Sequence, residues 1–164
     1  MNLPKRKPTR LKNFDYSQNG YYFITVCTKN KEKLFGKIVG DGAFDVPKMQ
    51  KSQIGEIVER YILSSNSIPE ITVDKYVIMP NHIHLLINVA NNGTSRAPSP
   101  TNNKISHTIS TFKRFVNKDI GYNVFQRSFH DHVIREENDY LKIWNYIDTN
   151  PQKWREDCFY IAES

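Results

Sequence analysis

The chain has few cysteines and no long apolar run, and each shortage restricts what the protein can be. Its 164 residues include two cysteines, Cys27 and Cys158, which form no CxxC pair. We therefore expect reduced thiols in a cytosolic protein rather than a disulfide framework. No stretch is apolar for long enough to cross a membrane, and no export-type hydrophobic segment follows the basic N-terminus. These shortages predict a cytoplasmic protein with no membrane partner.

Acidic residues are also scarce relative to basic ones. Asp and Glu number 17 against 23 Lys and Arg, which gives a formal net charge of +6 and an isoelectric point near 9.3. This excess indicates a polyanionic partner, most often nucleic acid, although a basic protein without such a partner can have the same composition. With 38% apolar residues the chain can build the core of one domain.

The most informative stretch is residues 76–89, which read YVIMPNHIHLLINV. Its Val, Ile and Leu content predicts a β-strand entered through a Pro-Asn turn. Because side chains alternate along a strand, His82 and His84 share one face and Ile83 points to the opposite, core face. Two adjacent imidazoles can hold a divalent metal, although a strand can also carry them as ordinary polar residues. A working metal site needs a third protein ligand and open positions for substrate.

Apolar spacing predicts the other elements. Before the histidine stretch we expect a strand at 20–28, a short strand pair around 34–39 and 43–46, a helix at 50–64 capped by Ser52, and a strand at 71–79. After it we expect a helix at 104–118, a short strand at 129–135 and a last helix at 137–150, which should end before Pro151.

Three further segments are predicted to flank or interrupt the packed domain. Residues 1–13 carry five positive charges and form a basic N-terminal arm. Residues 90–103 are small, polar and proline-rich, which is typical of a mobile loop. We therefore expect a single domain over 14–155, followed by a C-terminal tail at 156–164.

A second His-x-His pair lies in the predicted strand at 129–135. Here Asp131 stands between His130 and His132. On a strand with a core behind it, this arrangement would point a carboxylate inward at considerable cost unless the carboxylate were paired. We therefore do not expect this pair to be the main metal site, although either histidine could line it.

The last predicted helix offers a nucleophile and a further ligand. Its buried stripe has the spacing of one helix face, and comprises Tyr140, Ile143, Trp144 and Ile147. Tyr146 lies about 100° from the centre of that stripe. Asn150 follows one turn later and shares the face of Tyr146. Beside two imidazoles, a phenol and an amide suit metal-assisted attack by tyrosine, but Tyr and Asn at this spacing are also common on ordinary helices.

The motifs PNHIHLL, FKRF, SFHDHVIR and YIDTNPQKW, in this order, resemble the HUH single-tyrosine transposases, and most of all the REP-associated tyrosine transposases and related insertion-sequence enzymes. The resemblance covers nearly the whole chain, from about Tyr21 to Trp154. It implies a ferredoxin-like or RNA-recognition-like α/β sandwich, with an antiparallel sheet, helices on one face and a C-terminal helix carrying the tyrosine.

Carried over to this chain, the resemblance implies that His82 and His84 are metal ligands and that Tyr146 is the catalytic nucleophile. Asn150 matches the polar residue that completes metal binding in relatives, and Tyr140 is the competing nucleophile. The implied cofactor is Mg²⁺ or Mn²⁺, although two imidazoles could also take zinc. The implied reaction is metal-dependent cutting and joining of single-stranded DNA beside a hairpin, through a 5′-phosphotyrosine intermediate.

The resemblance also implies a nucleoid-associated location and, as in some relatives, a homodimer. We expect the DNA backbone to contact basic residues of the arm and of the 104–118 helix, namely Lys5, Arg6, Lys7, Arg10, Lys104, Lys113 and Arg114. Three alternatives remain open. They are a catalytically inactive single-strand-binding module of the same fold, a metal-dependent hydrolase that forms no covalent adduct, and a zinc-stabilised structural protein.

Overall fold

The structure is a computed structural model that describes residues 14, 16, 18–40, 44–90 and 103–162. The predicted arm at 1–13, with Lys5, Arg6, Lys7 and Arg10, lies outside the described residues, as does nearly all of the predicted loop at 90–103. Among the described residues, no helix is both long enough and apolar enough to cross a membrane.

The main element is a four-stranded antiparallel sheet with the strand order β4–β5–β1–β6. Its strands are β1 (Gly20–Cys27), β4 (Ile71–Met79), β5 (His82–Val89) and β6 (His130–Ile134). A separate two-stranded ribbon joins β2 (Gly36–Val39) to β3 (Lys48–Lys51). The helices are α1 (Gln53–Ser64), α2 (Lys104–Ile120) and α3 (Glu137–Thr149). This order of strands and helices gives the predicted ferredoxin-like α/β sandwich.

The two faces of the sheet bury different side chains. Ile24 and Val26 of β1, together with Ile83 of β5, join the larger core, which α1 and α2 cover. The intervening residues face the other way, where Leu86 packs against Ile143 and further residues of α3. Period-two alternation therefore sends the helix that carries Tyr146 to the face that bears the histidines.

Local sequence signals fix the helix ends. The Ser52 side chain accepts a hydrogen bond from the Gly55 N–H, so the predicted N-cap of α1 is confirmed. A Cβ on Gly55 would lie 2.2 Å from the Phe35 carbonyl oxygen, so this glycine allows α1 to approach the start of β2. At the C-terminal end of α2, Gly121 adopts φ 92° and forms a left-handed C-cap.

Two of the differences from the predicted boundaries affect how the chain is paired and how it continues. The second strand of the short pair occupies 48–51 rather than 43–46, where Phe44 and Val46 are exposed instead. Pairing with β2 therefore outweighs the weak strand preference of the β3 residues. The last helix ends at Thr149, close to the predicted end, but the chain continues as a 3-10 segment over Asn150–Glu156. That segment returns the chain to the histidine face of the sheet.

Candidate metal centre and nucleophile

The predicted histidine pair lies at the start of β5 and points to a single face. His82 and His84 are 0% and 1% exposed, and their Nε2 atoms are 3.1 Å apart. Ile83, between them, lies in the opposite core. The prediction that two imidazoles stand side by side, with a hydrophobic residue pointing away, is therefore confirmed.

Polar neighbours hold the outer nitrogen of each ring. Thr25 Oγ1 of β1 is 2.8 Å from His84 Nδ1, and Asn81 Oδ1 is 2.9 Å from His82 Nδ1. Burial lowers the pKa of His82 to about 3, and burial with the neighbouring His82 lowers the pKa of His84 well below its ordinary value. Both rings are therefore neutral at physiological pH, so their Nε2 atoms can offer lone pairs to a metal.

A third donor comes from Asp157, immediately after the 3-10 segment. Its carboxylate and the two histidine rings offer donor atoms that lie within 4.8 Å of one another. Asp157 Oδ2 is 3.8 Å from His82 Nε2, and the Asp157 side chain is 1% exposed. Because His82 is neutral, its contact with Asp157 is not an ion pair. Instead, His82, His84 and Asp157 place three lone-pair donors around one position.

Sequence reasoning missed Asp157 because it assigned residues 156–164 to a tail outside the domain. A usable signal was present in the aromatic residues Phe159 and Tyr160, which favour packing over an exposed tail. In the structure the Phe159 ring lies 4.6 Å from the His82 ring and 6.2 Å from the His84 ring, centre to centre. The start of the predicted tail therefore belongs to the site.

Asn150, the predicted additional ligand, also lies at this position. It is 2% exposed, and its Nδ2 donates to Asp157 Oδ2 at 3.2 Å. Within the described residues, its buried Oδ1 has no hydrogen-bond partner. Leaving a buried carbonyl oxygen unpaired costs about 1–3 kcal/mol. An oxygen-binding cation such as Mg²⁺ or Mn²⁺ would satisfy this atom, so the donor set fits the implied metal.

Tyr146 of α3 places its hydroxyl against the same cluster. Its Oη is 3.3 Å from His84 Nε2 and 3.3 Å from Asp157 Oδ2. At 39% exposure it is far more accessible than the buried histidines. Burial, with a further contribution from the Asp157 charge, raises the pKa of Tyr146 to about 12, while the Asn150 amide opposes the rise. The phenol is therefore protonated at neutral pH and lies beside a carboxylate that can accept its proton.

Tyr140, the competing nucleophile, is engaged elsewhere. Its hydroxyl donates to Asp74 of β4 at 3.2 Å, and its ring packs edge-on against Tyr21 at 4.9 Å. It joins the smaller core as a partly buried residue, in agreement with its predicted place on the packed stripe. Of the two tyrosines, Tyr146 is therefore the one that contacts a histidine of the pair.

The second His-x-His pair does not form a comparable cluster. His132 Nε2 is 2.7 Å from Asp139 Oδ2, and the His130 ring lies 6.5 Å from the Phe159 ring, at the margin of the site. Asp131 pairs with Ile24 in the sheet, so its side chain faces the core, as the alternation predicts. Its Oδ1 is buried and has no hydrogen-bond partner among the described residues.

The predicted DNA-contacting residues on α2 differ in their surroundings. Lys104 forms an ion pair with Glu70. Lys113 donates to the carbonyls of Gln126 at 2.8 Å and Ser128 at 3.0 Å, and burial lowers its pKa to about 8. The Arg114 guanidinium lies 5.1 Å from the centre of the Phe115 ring. Lys113 is therefore largely occupied by backbone carbonyls.

Comparisons with known proteins agree with this fold. No family model matches the chain. A Haemophilus influenzae protein of uncharacterised function is 33% identical, over 95% of this chain and 93% of that protein. A second H. influenzae protein, named as a candidate REP-associated tyrosine transposase, is 24% identical over 85% of this chain and 74% of its own length. The structure of a REP-associated tyrosine transposase bound to a REP hairpin superimposes with a TM-score of 0.61 at 19% identity, over 82% of this chain and 68% of that one.

The chain therefore has the fold of a REP-associated tyrosine transposase, and within this fold the hydroxyl of a helix tyrosine, Tyr146, lies against the strand histidine His84. This fold, together with the sequence similarity to a candidate REP-associated tyrosine transposase, supports the resemblance to the HUH single-tyrosine transposases.

Proposed function

We propose that this protein is a metal-dependent single-stranded DNA endonuclease and strand transferase that uses Tyr146 as its nucleophile. One observation carries the proposal. The Tyr146 hydroxyl lies 3.3 Å from both His84 Nε2 and Asp157 Oδ2, in a cluster of lone-pair donors. A phenol, a proton acceptor and a set of metal donors at one position are the groups that phosphodiester transfer to tyrosine needs.

His82, His84 and Asp157 would hold the metal, and Asn150 Oδ1 would complete the set. Two oxygen donors beside two imidazoles favour Mg²⁺ or Mn²⁺, although zinc also accepts such ligands. When bound, the divalent ion supplies positive charge next to the scissile phosphate, where negative charge develops in the transition state. The phosphate would approach from the side of Tyr146, which is the accessible edge of the cluster.

The chain's own residues account for the bond changes. The Tyr146 oxygen attacks phosphorus, the new oxygen–phosphorus bond forms, and the bond to the 3′-oxygen of the upstream nucleotide breaks. The proton of the phenol passes to the Asp157 carboxylate, 3.3 Å away. The departing 3′-oxygen takes a proton from solvent. The products are a 5′-phosphotyrosine and a free 3′-OH.

Strand transfer is the same reaction in reverse with a different 3′-OH. Because one phosphodiester replaces another, the bond energy is retained and no nucleotide triphosphate is required. The attacking 3′-OH would give its proton to solvent, and Asp157 would return its own proton to the Tyr146 oxygen as that oxygen leaves phosphorus. One carboxylate can therefore serve both directions.

The proposed substrate is single-stranded DNA that folds into a hairpin beside the cut site. A REP hairpin occupies the structurally similar REP-associated tyrosine transposase, and the net charge of +6 suits a polyanion. Arg114 on α2 and the basic residues at 1–13 are the proposed backbone contacts. A homodimer and a nucleoid location belong to the same proposal.

A covalent-adduct assay tests the proposed function. Labelled single-stranded hairpin oligonucleotides from DNA flanking the gene are mixed with protein and Mn²⁺, then resolved on a denaturing gel. We expect a shifted band that disappears in Tyr146→Phe and with EDTA but persists in Tyr140→Phe, the matched control. An adduct that persists in Tyr146→Phe would refute this nucleophile. Cleavage without an adduct would indicate a hydrolase, and binding without cleavage would indicate an inactive binding module.

A further inference from the structure

Asn81, in the turn that enters β5, has a buried side chain that makes three hydrogen bonds. It is 1% exposed. Its Nδ2 donates to the carbonyl of Phe159 at 2.8 Å and to the carbonyl of Lys31 at 3.3 Å. Its Oδ1 is 2.9 Å from His82 Nδ1. Both ends of the amide are therefore used.

The two carbonyl partners determine which way the amide points. A carbonyl oxygen can only accept, so the Nδ2 end must face Phe159 and Lys31, and Oδ1 must face the imidazole of His82. Oδ1 can likewise only accept, so the proton of neutral His82 lies on Nδ1. The lone pair is then on Nε2, the atom that faces His84 and Asp157.

The same amide also holds the segment that carries Asp157. The Phe159 N–H donates to Asp157 Oδ1 at 2.7 Å, and the Phe159 carbonyl accepts from Asn81 Nδ2. Asn81 and Phe159 are 78 residues apart in sequence, so this contact is a tertiary link between the β4–β5 turn and the C-terminal segment. Fixing Phe159 on both sides keeps the neighbouring carboxylate against the histidines.

We propose that Asn81 is a positioning residue with two roles, setting the tautomer of His82 and holding Asp157 beside the histidine pair. The inference rests on the metal centre proposed above and explains how its donor atoms are held in position. His84 is controlled differently, because its Nδ1 partner is the Thr25 hydroxyl, which can either donate or accept. Asn81 therefore contacts both His82 of β5 and the C-terminal segment that carries Asp157.

Two substitutions separate the roles. Asn81→Asp keeps an acceptor for the Nδ1–H of His82 but cannot donate to the two carbonyls. Asn81→Ala removes both functions. Asn88→Asp makes the same amide-to-acid change at the far end of β5, about 13 Å from His84 at the usual strand rise, and serves as the matched control.

The first measurement reads the tautomer directly in metal-free protein. Long-range ¹H–¹⁵N NMR correlations of the histidine rings distinguish a protonated Nδ1 from a protonated Nε2. We expect His82 as the Nδ1–H tautomer in the wild type, Asn81→Asp and Asn88→Asp, and as a mixture in Asn81→Ala. A wild-type His82 protonated at Nε2 would overturn the tautomer role, whatever the fate of the proposed enzyme activity.

The second measurement tests the link to Asp157. Hydrogen exchange of the 157–160 amides in metal-free protein should be faster in both Asn81 variants than in Asn88→Asp. By calorimetry, Asn81→Ala should weaken Mn²⁺ binding by about 10–100-fold, the range for residues that orient ligands. In an Asp157→Ala background, the same change should weaken binding several-fold less. Unchanged exchange, or equal losses in both backgrounds, would overturn the second role.

The two measurements keep the inference separate from the proposed function. Wild-type protein that binds no Mn²⁺ would refute the metal centre, yet the tautomer and exchange results in metal-free protein would still decide the part played by Asn81. Mn²⁺ binding that is unaffected by Asn81→Ala would refute the positioning role and leave the metal centre standing.

Discussion

Asp157→Asn should abolish most of the stabilisation that the proposed metal would give this protein. The change keeps the volume of the side chain and an oxygen that can accept from the Phe159 N–H, but it removes the negative charge from the donor set. Loss of a ligand-orienting residue typically weakens metal affinity 10–100-fold, so loss of a charged ligand should reach at least the upper part of that range. We take 100-fold as the expected effect.

The thermal consequence follows from mass action. At a Mn²⁺ concentration 100 times the wild-type dissociation constant, binding stabilises the folded state by about 2.7 kcal/mol. In a domain of this size, about 1 kcal/mol moves the melting temperature by about 2–4 °C, so we expect a shift of about 5–11 °C. After a 100-fold loss of affinity, the same Mn²⁺ concentration equals the dissociation constant and contributes about 0.4 kcal/mol, or about 1–2 °C.

Differential scanning fluorimetry over a Mn²⁺ titration measures both shifts. Asp139→Asn, which changes an acid on the surface of α3, is the matched control and should keep the full wild-type shift. A full metal-induced shift in Asp157→Asn would refute Asp157 as a ligand. If Asn150→Ala then lost the shift, the third donor would be the amide predicted from the sequence.

Two further predictions concern the buried neutral ring of His82 and the two basic side chains Lys113 and Arg114. Since the pKa of His82 is lowered to about 3 from an ordinary 6.5, only the unfolded state takes up this proton between those values. The free energy of unfolding of metal-free protein should therefore fall by about 1.4 kcal/mol per pH unit for this residue below about pH 6. Denaturant unfolding at pH 6, 5 and 4 should show a shallower fall in His82→Asn, and equal slopes would contradict the buried neutral ring. Second, Lys113→Met leaves three backbone carbonyls without their donor and should destabilise the fold by about 1–3 kcal/mol. Arg114→Met should leave stability nearly unchanged but lower the salt dependence of DNA binding by about one phosphate contact. A stability loss in Arg114→Met with none in Lys113→Met would contradict these assignments.

The parts of the site that could be predicted from the sequence depend on local periodicity. The alternation around Ile83 fixed the common face of the two histidines, and the helical spacing after Tyr140 separated Tyr146 from the packed stripe. Both inferences need only the geometry of one element. The position of Asp157 could not be predicted in this way, because it depends on a 3-10 segment that continues past Pro151 and on tertiary contacts of Phe159 with β5.

The β2–β3 ribbon shows the same limit. Phe44 and Val46 have the stronger strand preferences, yet the chain pairs 48–51 with Gly36–Val39 and leaves both residues exposed. Tertiary contacts determine which residues pair with β2, since α1 must begin close to the carbonyl of Phe35, where Gly55 allows the approach. Propensity is a weak guide wherever such a contact fixes the register.

The burial of the site has a consequence for how its chemistry is controlled. His82, His84 and the Asp157 side chain are almost wholly withdrawn from solvent. Burial and, after it, the charge of the Asp157 carboxylate raise the pKa of Tyr146. A divalent ion held by the same carboxylate would offset that negative charge and so favour ionisation of the phenol. Metal binding and activation of the nucleophile should therefore be coupled through Asp157, so that a variant lacking this carboxylate loses the metal dependence of the Tyr146 pKa as well as metal affinity.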